Sequence, residues 1–277
     1  MKNLGKLALN IMTVGAILLV LLWTLYPLMW IFLSSLKPAG AQFQDPPVWF
    51  NFEPTLDNYR EFFGNSEFIS AILNSLLITI VSVLFSLILG TPTAYSLARF
   101  KYRHDDKMLI FVLLSRMTPP IVLVMPLFLL ARALGIIDTY LVLIIMGGLL
   151  SVPFVIWMMR GFFADLPIEL EEAAMIDGCD RKNVLVRVLL PLVAPGLAAT
   201  AVLCSLLVWN QFLFVLVLGG SSTRTLPVLV KMFVTEQSVN WGVMSAAGII
   251  TVLPLIIFGL LAQKYLVKGL TMGGVKE

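Results

Sequence analysis

Charged side chains are missing from six long stretches, residues 7–36, 68–98, 108–131, 139–159, 188–223 and 237–263, with Arg116 the single exception. Each stretch can hold the roughly 20 apolar residues that an α-helix needs to cross a bilayer. Backbone amides in lipid find no water, so a crossing segment must bond them internally, and helix is the expected form. The alternation that marks a membrane β-barrel is absent. The pattern predicts an all-α integral membrane protein with six transmembrane helices.

Composition agrees. Of the 277 residues 59% are hydrophobic and only 13% charged, with a mean hydropathy of +0.96. A soluble domain carries about 25% charged residues to cover its surface. Membrane lipid is therefore the expected surrounding, and a net charge of +3 is too small to suggest nucleic acid.

Orientation follows from the basic residues. With both termini cytoplasmic, the inner segments hold thirteen: Lys2, Lys6, Arg99, Lys101, Arg103, Lys107, Arg160, Arg181, Lys182, Arg187, Lys264, Lys268 and Lys276. The outer segments hold five, Lys37, Arg60, Arg132, Arg224 and Lys231. This asymmetry obeys the positive-inside rule. The first apolar run is too long for a signal-peptide core and reads as an uncleaved helix. Trp23, Tyr26 and Trp30 suit an interfacial belt at its outer end.

Three parts result: the first transmembrane helix with its outer loop (residues 1–67), a five-helix core (68–265), and a cytoplasmic tail (266–277). Within the core, Pro92, Pro119, Pro120, Pro126, Pro153 and Pro254 fall inside predicted spans. Each removes a backbone hydrogen bond, which a membrane tolerates only where neighbours or a cavity satisfy the freed carbonyl. His104, the only histidine, sits in a basic loop, and no His/Cys cluster has metal-site spacing.

Between the fourth and fifth spans lies a charged island that predicts a short cytoplasmic helix over 166–178. Pro167 stands where a first helical turn tolerates proline, and Glu169, Glu171 and Glu172 crowd the positive end of the helix dipole. Gly178 is a natural C-terminal stop. Leu170, Ala173, Ala174 and Asp177 recur at helical spacing, predicting one small apolar side and one acidic side. Surface-bound helices favour Lys and Arg over acids, so this composition points to a protein contact. Ala173 and Ala174 permit close approach, and a Glu can pair with an Arg of a partner.

Glu172-Ala173-Ala174, then Gly178, Val188 and Leu190-Pro191, resembles the "EAA" loop of ABC importer membrane subunits, with Val188 in place of the usual Ile. Further similarity to the carbohydrate-uptake branch, specifically the shorter maltose-transporter-type subunit, lies in four stretches. They are Asn74-Ser75, residues 90–99, Trp209-Asn210-Gln211-Phe212-Leu213-Phe214, and Gly269-Leu270-Thr271. Relatives often carry an acid where Gln211 stands.

The resemblance implies a type I ABC importer permease fold in a bacterial or archaeal plasma membrane. It implies half of a pore shared with a homologous permease subunit, two ATP-binding subunits below, and an extracytoplasmic solute-binding protein above. ATP and Mg would belong to the partner ATPase, with no cofactor and no catalysis in this chain. Glu169, Glu172, Ala173, Ala174, Asp177, Gly178, Leu190 and Pro191 would couple to the ATPase, and the tail could reach the ATPase interface. A sugar, either a di- or oligosaccharide, is the implied solute, with a polyol or glycerol phosphate as the alternative.

No phosphate-binding Gly-x-x-x-x-Gly-Lys-Ser/Thr loop and no Ser/His/Asp arrangement is present. A self-contained secondary transporter would place Asp, Glu or His within its spans. None of the six has one, so external energy is favoured; a channel would leave the acidic loop unexplained. Arg116 lies roughly 13 Å beyond Lys107 along a helix, near mid-bilayer. It could bind solute, satisfy carbonyls beside Pro119-Pro120, or meet the partner subunit. Trp209 and Asn210 fit either sugar stacking and hydroxyl recognition or helix packing and a kink. Asn74 joins them as a pore candidate.

Overall fold

The computed structural model describes residues 2–100, 105–233 and 240–272. Lys101, Arg103, His104, Lys276 and the tail from residue 273 onward lie outside them. Among the described residues the chain is helical, and these group into two compact units, one within Met1–Phe68 and Val230–Val252, the other within Ile69–Leu229 and Leu253–Glu277.

The first unit begins with α1 (Lys2–Leu36), an apolar helix whose exposed flank runs from Ile11 to Tyr26, as a lipid-facing surface does. Its outer end is fastened to α2 (Asp57–Gly64). The Asn58 amide donates to the carbonyls of Ser35 and Lys37, both at 2.9 Å, and the Ser35 and Tyr59 hydroxyls meet at 2.8 Å. Trp49, from the proline-rich loop, packs edge-on against Trp30 at 4.5 Å and tilted against Tyr26 at 5.5 Å. Two of the expected belt residues thus hold the outer cap.

The second unit is built on two long spans, α3 (Ser66–Arg99) and α6 (Tyr140–Ala164). Their backbones come close because glycine leaves room. A Cβ on Gly90 would fall 2.6 Å from Val155 Cγ1, and one on Gly148 would fall 2.3 Å from Phe85 Cδ1. Small residues at helix interfaces allow this approach, which dispersion then rewards. Between the two spans come α4 (Asp105–Met117) and α5 (Pro120–Ala133).

After α6 come the short α7 (Glu169–Ile176), α8 (Arg181–Leu192) and α9 (Ala194–Trp209). The chain continues through α10 (Leu213–Leu218) and α11 (Leu226–Val230) to the long α12 (Trp241–Met272), which runs into the predicted tail.

Among the described residues four helices are long and apolar enough to cross a membrane, and up to six spans result if each of two bent pairs is one span. The expected third span is such a pair, α4 and α5, meeting at 87°. Pro119 and Pro120 force the break: a residue before proline is pushed out of the α region, and Pro119 takes ψ 131°. The approach to the expected fifth span is the other, α8 and α9 at 79° around Val193. The expected run 188–223 is likewise interrupted at Asn210, where α9 stops. Pro92 and Pro153, by contrast, stay inside continuous helices.

Candidate functional site

Helix α7 starts one residue after Ile168, whose carbonyl accepts from the amides of Glu171 at 3.0 Å and Glu172 at 3.2 Å. Pro167 stands just ahead of the helix and accepts from Leu170 through its carbonyl. The other end closes with a pair of bonds, Cys179 N to Ala174 O at 3.0 Å and Gly178 N to Met175 O at 3.1 Å. That closure needs a left-handed residue, and Gly178 supplies it at φ +87°. Asp180 then caps α8, accepting from the Asn183 amide at 2.8 Å.

The division of α7 into faces differs from the expected small side and acidic side. Ala174 and the acidic Glu171 form the buried face, while Ala173 is exposed together with Glu169, Glu172, Asp177 and Gly178. Apolar side chains join this outer face: Ile176 is 86% exposed, and Ile168, Leu170 and Met175 are exposed too. Leu190 is half-buried and Pro191 exposed, beside the fully buried Leu189. The outer face therefore mixes carboxylates with bare apolar surface, which water serves poorly and a protein partner serves well.

Glu171 is the residue that sequence reasoning passed over. Its carboxylate forms an ion pair with Arg99 Nε, and its other oxygen accepts from the Tyr95 hydroxyl at 2.9 Å. Arg99 Nη2 also donates to the Leu166 carbonyl at 2.8 Å. Both charged side chains are buried. Arg160 reaches back toward α3, donating to the Leu97 carbonyl at 3.4 Å. The available signal was Arg99 in the last turn of α3, a charge at the edge of a span that needs a partner.

A second candidate site is a cavity of about 450 Å³ at the α4–α5 break. Arg116 and Asn210 both line it, with Ser115, Thr118, Gln211 and Phe212. Arg116 donates to the Leu150 carbonyl at 3.2 Å and lies 5.7 Å from the Phe154 ring centroid. Asn210 spends its amide on the Leu206 carbonyl at 2.8 Å. The cavity offers a guanidinium, side-chain amides and hydroxyls, a set that can hydrogen-bond hydroxyls or an anionic group.

The other two pore candidates do not join them. Trp209 is buried, edge-on to Phe258 at 6.4 Å. Asn74 is also buried, and its amide donates to the carbonyls of Ser222 at 3.1 Å and Arg224 at 3.0 Å while its oxygen accepts from Tyr140 at 2.8 Å. With both donors spent on backbone, Asn74 is a structural tie. The same loop is held by Asp138, which accepts from the Thr223 hydroxyl at 2.8 Å and amide at 3.2 Å. Burial alone would raise the Asp138 carboxyl, but the bonds from Thr223 and Ser222 outweigh it and hold it below its ordinary value.

Comparison with known proteins places this geometry. The family model described as "Binding-protein-dependent transport system inner membrane component" matches residues 86–272. A probable ABC transporter permease of Sinorhizobium fredii is 39% identical over 266 residues, covering 92% of this chain and 95% of that protein. The diacetylchitobiose uptake system permease of Streptomyces coelicolor is 33% identical over 252 residues, 91% of each. A chain of a bacterial ABC transporter for the acidic polysaccharide alginate superposes with TM-score 0.80 at 25% identity, covering 94% of this chain and 97% of that one.

Proposed function

The chain belongs to the family of binding-protein-dependent transport system inner membrane components, and from that premise we propose that it forms half of a sugar pore driven by a partner ATPase. The observation that carries the reading is the outer face of α7, where Glu169, Glu172 and Ala173 stand beside exposed Ile176 in a chain of this family. Carboxylates beside apolar contacts suit a groove lined by Arg and hydrophobic residues. Two ATP-binding subunits take this face, and ATP with Mg stays on them. A homologous permease completes the pore, and a solute-binding protein delivers cargo from outside the inner membrane of a bacterium.

The coupling follows from the placement. ATP binding draws the ATPases together and moves α7; hydrolysis releases it. The broken helices at Pro119-Pro120 and Asn210 surround the Arg116 cavity, where irregular backbone is tolerated because it lines a polar space. A di- or oligosaccharide is the solute class, supported by the diacetylchitobiose and alginate systems among similar proteins.

The test is to purify the complex with its binding protein, reconstitute it, and offer neutral oligosaccharides, polyols and glycerol phosphate. Uptake of an oligosaccharide that needs ATP and the binding protein is expected. Retention of only glycerol phosphate or a polyol would overturn the substrate class, and uptake without ATP would overturn the coupling.

A further inference from the structure

Glu171, Arg99 and Tyr95 do not belong to the surface that an ATPase would touch. The Arg99 and Glu171 side chains are 9% and 6% exposed. What they do is fasten α7 to the end of α3, an element far from it in sequence. Arg99 grips two places at once, the Glu171 carboxylate and the Leu166 carbonyl, while Tyr95 holds the second carboxylate oxygen. One such bond would leave a hinge; three fix rotation as well as position. A buried ion pair gains little net stability over apolar packing, because desolvation offsets attraction. Its distinguishing property here is directional rigidity.

The opposite end of α3 is fastened in the same manner. Asn74 holds the carbonyls of Ser222 and Arg224, and Ser75 Oγ accepts from the Leu226 amide at 2.8 Å. About 30 Å of helix separates Ser75 from Tyr95 at about 1.5 Å per residue. Along that length the close seats of Gly90 and Gly148 lock α3 to α6. The covalent route from α7 into α8 and α9 is softer. It passes through a π-helical turn at Val184–Leu189, where hydrogen bonding is widened, and then the 79° bend.

We infer that α3 is the rod that carries movement of α7 to the outer loop 222–226, with Glu171, Arg99 and Tyr95 as the positioning residues that join α7 to it. This rests on α7 being the ATPase docking element. A displacement of α7 moves the Arg99 end of α3, and Asn74 and Ser75 bring the loop with them. Asp138, bonded to the same loop, carries the shift to the start of α6.

The test uses the whole complex in proteoliposomes and reads solute imported per ATP hydrolysed. Arg99→Met/Glu171→Met removes both charges together, so no lone buried charge remains to unfold the chain. The double variant is expected to keep its ATPase subunits and basal hydrolysis, while the import ratio falls about tenfold. Tyr95→Phe deletes one hydroxyl and is the graded version, with a loss of about twofold to tenfold, the scale of one hydrogen bond. A wild-type ratio in the assembled double variant overturns the inference. If the double variant does not assemble, Tyr95→Phe decides, and its wild-type ratio overturns it. Glu172→Arg separates the two levels: if it leaves ATPase content and uptake intact, docking through α7 is wrong; if it strips the ATPase while the double variant couples normally, only the rod is wrong.

Discussion

Glu171 and Arg99 stand 72 residues apart in sequence and meet as a buried ion pair where α3 ends beneath α7. The next residue, Glu172, is exposed. One helical step of about 100° separates the two acids and gives them opposite duties. Glu171 holds the helix in place, and Glu172 is the carboxylate left for the proposed ATPase contact.

Substitution should separate these duties. Glu171→Ala leaves Arg99 charged and buried, a loss of about 3–5 kcal/mol, so thermal unfolding of the detergent-solubilised chain should occur at a markedly lower temperature. Glu172→Ala removes an exposed carboxylate and should change stability by less than about 0.5 kcal/mol. Its effect should appear instead as lost ATPase co-purification, or as hydrolysis without uptake.

Asn74→Leu tests the outer tie. It removes the bonds to the Ser222 and Arg224 carbonyls and from the Tyr140 hydroxyl. Each of these partly buried hydrogen bonds contributes about 0.5–1.5 kcal/mol, so unfolding temperature should drop. Hydrogen exchange should rise first around residues 219–226. Unchanged exchange there would mean that the loop is held by other contacts.

The pair Asn74 and Glu171 also shows where sequence reading stops. Apolar stretches revealed the spans, because lipid imposes one rule on every residue of a crossing helix. Pro119-Pro120 was visible as a break, but its 87° angle depends on what the two halves pack against. Gly178 could be read as the stop of α7, since a left-handed cap has a residue signature. Asn74 was legible as a polar residue in an apolar span but not as a tie, because its partners lie about 150 residues away. The face of α7 that Glu171 occupies was hidden for the same reason. No local pattern says that Arg99 waits for it.

Asp138 makes the outer loop sensitive to acid. Its folded pKa lies below the ordinary value of 3.8, so its contribution is fully present above that value. It is lost as pH falls through the lower folded pKa. Unfolding temperature measured from pH 7 downward should therefore show an acid-induced drop below about pH 4 that Asp138→Asn lacks. The variant should already be less stable at pH 7.

Arg116→Gln keeps a hydrogen-bonding side chain at the cavity and removes the charge. Charge-assisted bonds are worth about 1.5–3 kcal/mol, so uptake at subsaturating solute should fall at least about tenfold if Arg116 meets the solute. ATPase content and basal hydrolysis should stay as in the parent complex. Equal uptake by both would assign Arg116 to its Leu150 carbonyl and Phe154 contacts alone.

On the proposed function, energy enters through α7 from a bound ATPase. Solute uptake by the reconstituted complex, measured with and without internal ATP and with and without an imposed proton or sodium gradient, tests it most directly. Uptake is expected only with ATP and the solute-binding protein, abolished by Glu172→Arg and indifferent to the gradients. Uptake driven by either gradient in the absence of ATP would contradict it.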